Sequence, residues 1–78
     1  MKTLREEAII QLVRSRLCQD QRVCGQMIDV SAVDGEVMLA GQCDSDEQKR
    51  IAEIIAKGTH GVRLVIDNVR VRRVAQSI

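Results

Sequence analysis

Near the start of the chain, Ile9, Ile10, Val13 and Leu17 recur at helical spacing with Leu12 beside them, while Arg5, Glu6, Gln11, Arg14 and Ser15 occupy the other faces. That spacing predicts an amphipathic helix from Thr3 to about Cys18. Glu6 and Glu7 near its start, and Arg14 and Arg16 near its end, suit the helix macrodipole. The polar run from Gln19 to Gln26, which contains Gly25, reads as the loop that ends it. Periodicity then changes to two. Ile28, Val30 and Ala32 alternate with Asp29, Ser31 and Val33, and after Asp34-Gly35 the row Val37, Leu39, Gly41 and Cys43 alternates with Met38, Ala40 and Gln42. Alternation on both sides of an Asp-Gly pair predicts a β-hairpin, whose glycine supplies the positive φ of a tight turn. Gly41, on the inward row, is expected where a helix approaches closely.

Asp44-Ser45-Asp46-Glu47-Gln48 opens a second helix: Ser45 accepts from a free backbone N–H, and Gln48 returns a bond to the cap. Ile51, Ile54 and Ile55 form the expected apolar face, Ala52 and Ala56 flank it, and Gly58 supplies the stop. After Thr59-His60-Gly61, the segment from Val62 to Arg73 reads as a third strand. Its second half alternates, Val69 and Val71 against Arg70 and Arg72, while Leu64-Val65-Ile66 is continuous, a pattern that leaves open a covering on both faces. Val74 to Ile78 is a tail without pattern.

The order helix-strand-strand-helix-strand, with the right-handed rule for the strand-helix-strand unit, gives an α+β fold. Its third strand lies parallel to the second in a three-stranded mixed sheet, and both helices cover one face. At 78 residues the chain suits a single domain, residues 1–78, with a core over 3–73 and the tail 74–78.

Composition narrows the function. The apolar fraction is 45%, yet Phe, Tyr and Trp are absent, so the core is aliphatic. Single-strand nucleic-acid binders stack bases on rings, and membrane-surface modules anchor through Trp or Phe; neither device is present. A formal net charge of +1 makes any electrostatic function local. The N-terminus carries acids where a secretory signal has its apolar run, and no window approaches about 20 apolar residues, so a cytoplasmic location is expected, peripheral to the inner membrane if the chain docks there. Cys18, Cys24 and Cys43 match no zinc or redox spacing and read as reduced thiols. A Cys18–Cys24 bridge across the helix end is sterically conceivable but is the minor reading for a reducing compartment.

Three stretches resemble the BON family. A helix with Val13, Leu17 and then Asp20 is the first; the hairpin series Gly35, Val37, Leu39, Gly41 and Cys43 is the second. Ala52, Ile55, Ala56, Gly61 and Val62, leading into Val65, Val69 and Val71, are the third and most specific. Together they run from about Ile9 to Val71. Cys43 replaces a usual Val, Thr59 and His60 stand where an apolar residue and Pro are common, and Asp67 replaces a usual Asn, with Asn68 just after. The resemblance implies a non-enzymatic module without a cofactor. It belongs with a family associated with phospholipid binding, osmotic-stress envelopes, secretion-ring assembly and, in the cytoplasm, ligand-sensing partners. Gly35 and Gly61 look like turn positions in this frame, and Gly41 like a packing position.

Arg63, Arg70, Arg72 and Arg73 lie on or beside the third strand and are the candidate membrane- or partner-binding residues, against the alternative of a charged edge that blocks aggregation. Gly58-Thr59-His60-Gly61 has the form of a nucleic-acid-clamping Gly-x-x-Gly loop, but that loop joins two helices, so no nucleic acid is expected. His60 reads as a turn residue, and Asp44, Asp46 and Glu47 as helix N-terminal acids rather than cation ligands. Two functions fit. The first is docking onto an anionic phospholipid surface or a membrane-associated protein through the arginines. The second is self-association into a homo-oligomer, the helix face of one copy meeting the sheet of another. The expected bare side of the sheet carries Met27, Val33, Met38, Ala40 and Leu64.

Overall fold

The computed structural model describes residues 4–72; Arg73 and the tail Val74 to Ile78 lie outside the described residues. The elements run α1 (Leu4–Gln19), β1 (Met27–Val33), β2 (Glu36–Cys43), α2 (Asp46–Lys57) and β3 (Leu64–Val71). β1 pairs antiparallel with β2, and β3 lies parallel to β2 on its other side, giving the order β1-β2-β3. The expected α+β fold, a mixed three-stranded sheet with two helices, is the one found.

The hairpin forms because two residues in the left-handed region, Asp34 at φ 52° and Gly35 at φ 81°, make a turn that matches the twist of the strands. That turn sets Val33 opposite Glu36 and carries Ala32 against Val37 and Val30 against Leu39. All four of the latter face the helices and are buried. Ile9, Ile10, Val13 and Leu17 of α1 and Ile51, Ala52 and Ala56 of α2 close over them with Cys43 and Val69 in one core cluster. Each fully buried aliphatic side chain contributes on the order of 1.5–3 kcal/mol.

Four expectations change. Ile54 is 60% exposed, whereas Ala52 and Ala56 are fully buried. The small side chains let α2 lie close on the sheet, and its buried arc turns away from Ile54. Glu6 is buried rather than solvated, because its Oε2 accepts from the Asp34 N–H at 2.8 Å and so ties the first turn of α1 to the hairpin turn. Leu64 and Ile66 are exposed, so β3 is covered on one face only. At Gly41, with φ 122°, the close neighbour is β1 and not a helix: an added Cβ would run into the Met27 carbonyl.

The start of α2 is capped as anticipated, with Ser45 Oγ accepting from the Gln48 N–H at 3.2 Å. The return bond differs by one residue, since Gln48 Oε1 accepts from Asp44 N–H at 2.7 Å. Gln48 Nε2 also donates to the Arg22 carbonyl at 3.0 Å, which fastens the α1–β1 loop to the second helix. At the other end Gly58 is right-handed at φ −81°. The buried Thr59 hydroxyl donates to the Ile55 carbonyl at 3.0 Å, so the Gly-x-x-Gly sequence here is a helix-terminating turn.

Asp67 points to the helix side of β3. Its Oδ1 accepts from the Val69 N–H at 3.0 Å, and its Oδ2 is buried without a hydrogen-bond partner. Burial raises its pKa above the ordinary carboxylate value, against the Val69 N–H and Lys49, and Glu53 adds to the rise. The folded state therefore holds the Asp67 proton more tightly than the unfolded chain does. Stability from the protonated form is present below the ordinary pKa and is lost as pH rises through the raised one. An amide would keep the bond to Val69 and remove the charge. Asp67→Asn is thus expected to raise stability at pH 7 by less than about 1 kcal/mol, since solvent screens a half-exposed group, and the gain shrinks to nothing in acid, read from thermal melts across pH. Gly41→Ala, blocked by the Met27 carbonyl, is expected to cost at least about 2 kcal/mol in urea unfolding.

Candidate functional site

Because both helices lie on one side, the other side of the sheet is bare. The strand registers arrange it in four rows running from β1 through β2 to β3. These are Val33-Glu36-Leu64, Ser31-Met38-Ile66, Asp29-Ala40-Asn68 and Met27-Gln42-Arg70. Met27 is 73% exposed, Val33 62%, Leu64 49%, Met38 39% and Ile66 37%. Ala40 lies among them, half-buried. All five residues expected on this side belong to it. Ile66 is the one that the sequence reading missed, although its even spacing from Leu64 and Arg70 places it on the same face.

The candidate arginines do not form one patch. Arg63 stands before the start of β3, where its Nη2 lies 3.8 Å from Glu36 Oε2. Arg70 and Arg72 are at the far end, roughly 25 Å along the strand. Arg72 Nη2 reaches Asp44 Oδ1 at 2.7 Å, and this guanidinium holds the Asp44 carboxyl below its ordinary pKa. Arg70 is exposed and has no ion-pair partner among the described residues. Arg73 lies outside them. The glycines are structural: Gly35 completes the hairpin turn, Gly61 lies in the turn before β3 near Ile9, and Gly41 sits against β1.

Asp44, which sequence alone left as a conceivable cation donor, is engaged by Arg72 ahead of the Ser45 cap. His60 is exposed in the turn before β3. Among the described residues, the main depressions of the surface are open, and none of these gathers a nucleophile with a base. What the molecule offers is surface: an open sheet face on which Met27, Val33, Met38, Ala40, Leu64 and Ile66 alternate with polar side chains that include Asp29, Glu36 and Arg70.

The sequence profile of the BON domain matches residues 5–73, nearly the whole chain. The chain belongs to the BON domain family. As a BON domain it is a binding or interaction module, and membership points away from an enzyme. Among solved structures, it resembles the C-terminal domain of CdsD, the structural protein of the Type III secretion system of Chlamydia trachomatis. The TM-score is 0.70 at 20% identity over 86% of this chain, and the match spans 33% of that chain. At that identity the likeness shows the fold. No curated protein matches the chain.

An outer face held in place from below has side chains to spare. Replacing Met38 and Ile66 together by Ser is expected to cost only about 1–2 kcal/mol in urea unfolding, because each side chain already meets water over more than a third of its surface. Leu39→Ala, on the opposite face of the same strand, is expected to cost about 3 kcal/mol in the same titration.

Proposed function

We propose that this BON domain is an assembly module in which the helix layer of one copy covers the bare sheet face of the next. The observation that carries the reading is apolar exposure on both outer layers. Met27, Val33, Met38, Leu64 and Ile66 are exposed on the sheet, and Leu12 and Ile54 on the helices. A head-to-tail contact removes both sets from water, whereas a symmetric sheet-to-sheet contact leaves Leu12 and Ile54 exposed. Contacts of this kind propagate, closing into rings where the rotation between copies permits. The likeness to a structural protein of a secretion system supports the same reading.

A second reading, docking on an anionic phospholipid surface, is favoured by Arg70, whose charge no acid among the described residues answers. Each such arginine is worth about 1 kcal/mol near an anionic bilayer. Against it stand the Arg72–Asp44 pair and the acids Asp29 and Glu36 on the same face, which an anionic surface repels. The sheet face also carries no aromatic anchor.

Complementation between two damaged copies tests the assembly reading. One variant carries Met38→Asp and Ile66→Asp, the other Leu12→Asp and Ile54→Asp, and light scattering reads mass against concentration. The parent is expected to gain mass with concentration, each variant alone to stay monomeric, and the equimolar mixture to form a capped dimer. Dimers of the helix-layer variant by itself would replace head-to-tail contact with sheet-to-sheet contact. A parent that stays monomeric at high concentration, yet pellets with anionic vesicles in a salt-sensitive manner lost on changing Arg70 and Arg72, would decide for the lipid surface.

A further inference from the structure

Five residues separate Cys18 from Cys24, with no motif between them, yet the loop that joins them folds back toward the end of α1. Cys18 sits in the last turn of α1, and the chain then folds back on Asp20. The Asp20 carbonyl accepts from the N–H groups of Val23 and Cys24 at 3.1 and 2.8 Å. The Asp20 carboxylate accepts from the Arg22 N–H at 2.9 Å and pairs with its guanidinium, which holds that carboxyl down to about 2. Val23, 2% exposed, anchors the loop in the core, and Gln48 Nε2 holds the Arg22 carbonyl from α2. Cys24 therefore returns to the end of α1 in a fixed position. Cys18 and Cys24 are both exposed and line the same open depression of about 420 Å³, beside Arg14 and Ile28, whereas Cys43 is fully buried. Cys18, across the same depression, raises the Cys24 pKa above its ordinary value.

We propose that Cys18 and Cys24 are a reversible dithiol–disulfide couple, oxidised by a low-molecular-weight disulfide of the glutathione class. The Cys18 thiolate attacks one sulfur of the oxidant, forming a mixed disulfide and releasing one thiolate of the small molecule. Cys24 then gives up its proton and attacks the Cys18 sulfur, which closes the Cys18–Cys24 bond and expels the second small thiolate. Two electrons pass from the protein to the oxidant, and the two protons lost by the cysteines end on the two released thiols. Exposure gives the oxidant access, and the fixed loop favours the second, intramolecular step over release of a lasting adduct. The couple stands apart from the bare sheet face, since none of the five apolar side chains of that face lines its depression.

Equilibration of the whole chain in glutathione buffers from fully reduced to fully oxidised, followed by acid quench, alkylation and peptide mass mapping, tests the couple. The expected product has lost two hydrogens, carries one bond between Cys18 and Cys24, and returns to the dithiol on reduction. Cys43 is expected to alkylate only after unfolding. Cys18→Ser and Cys24→Ser, both at exposed positions and checked for native circular dichroism, are each expected to stop at a glutathione adduct on the remaining exposed thiol. The inference is overturned if both thiols stay alkylatable in the most oxidising buffer. Separate adducts on Cys18 and Cys24 in the parent, or bonds between chains, overturn it equally.

Discussion

The structure depends on burying one row of aliphatic side chains, Val30, Ala32, Val37, Leu39, Cys43 and Val69, beneath two short helices. With no aromatic ring to fill space, the core depends on close approach. Ala52 and Ala56 let α2 settle onto the sheet, and Gly41 lets β1 and β2 run tightly together. Two helices suffice to cover one side of three strands. The chain contains nothing further to cover the second side among its described residues, so an aliphatic face is left to water. The bare sheet face is thus a consequence of the same economy that makes so small a domain fold.

Polar contacts act at the ends of this layer, where the apolar core gives out. Glu6 holds the hairpin turn against the first turn of α1, and Arg72 holds the end of β3 to Asp44 ahead of α2. Gln48 joins the cap of α2 to the loop that follows α1. These links position elements rather than supply most of the stability, because the exposed ones are screened by water and salt. Their effect on function is indirect. The Asp44 pairing takes one arginine out of the candidate patch, and the loop fastened by Gln48 is the one that sets Cys24 beside Cys18.

Strand residues were legible because a period of two is absolute: once Val37 and Leu39 face inward, Met38 must face outward, and Met27, Val33 and Leu64 follow through the register. Helix residues were less so. A helix buries an arc whose centre depends on how it lies, and hydropathy alone puts Ile54 inside because isoleucine is more apolar than alanine. Contact distance to the sheet favoured Ala52 and Ala56 instead. The burial of Glu6 is hidden for a related reason, since nothing in a local window shows that a hairpin N–H will arrive beside a carboxylate 28 residues away. The arginines share a stretch of sequence but not a location, because an extended strand spreads its two ends apart.

The amino-acid sequence by itself determined the element order, the turn at Asp34-Gly35, the inward row of each strand and the family, since these follow from local periodicity, turn chemistry and motif spacing. Only the tertiary structure decided that one Asp67 oxygen would be buried without a partner, that Arg72 would pair with Asp44, and that Cys18 and Cys24 would line one depression. Each of those depends on which distant or folded-back segment packs against a residue. That pairing is set by the closure of the core as a whole, and no short window of the chain contains it.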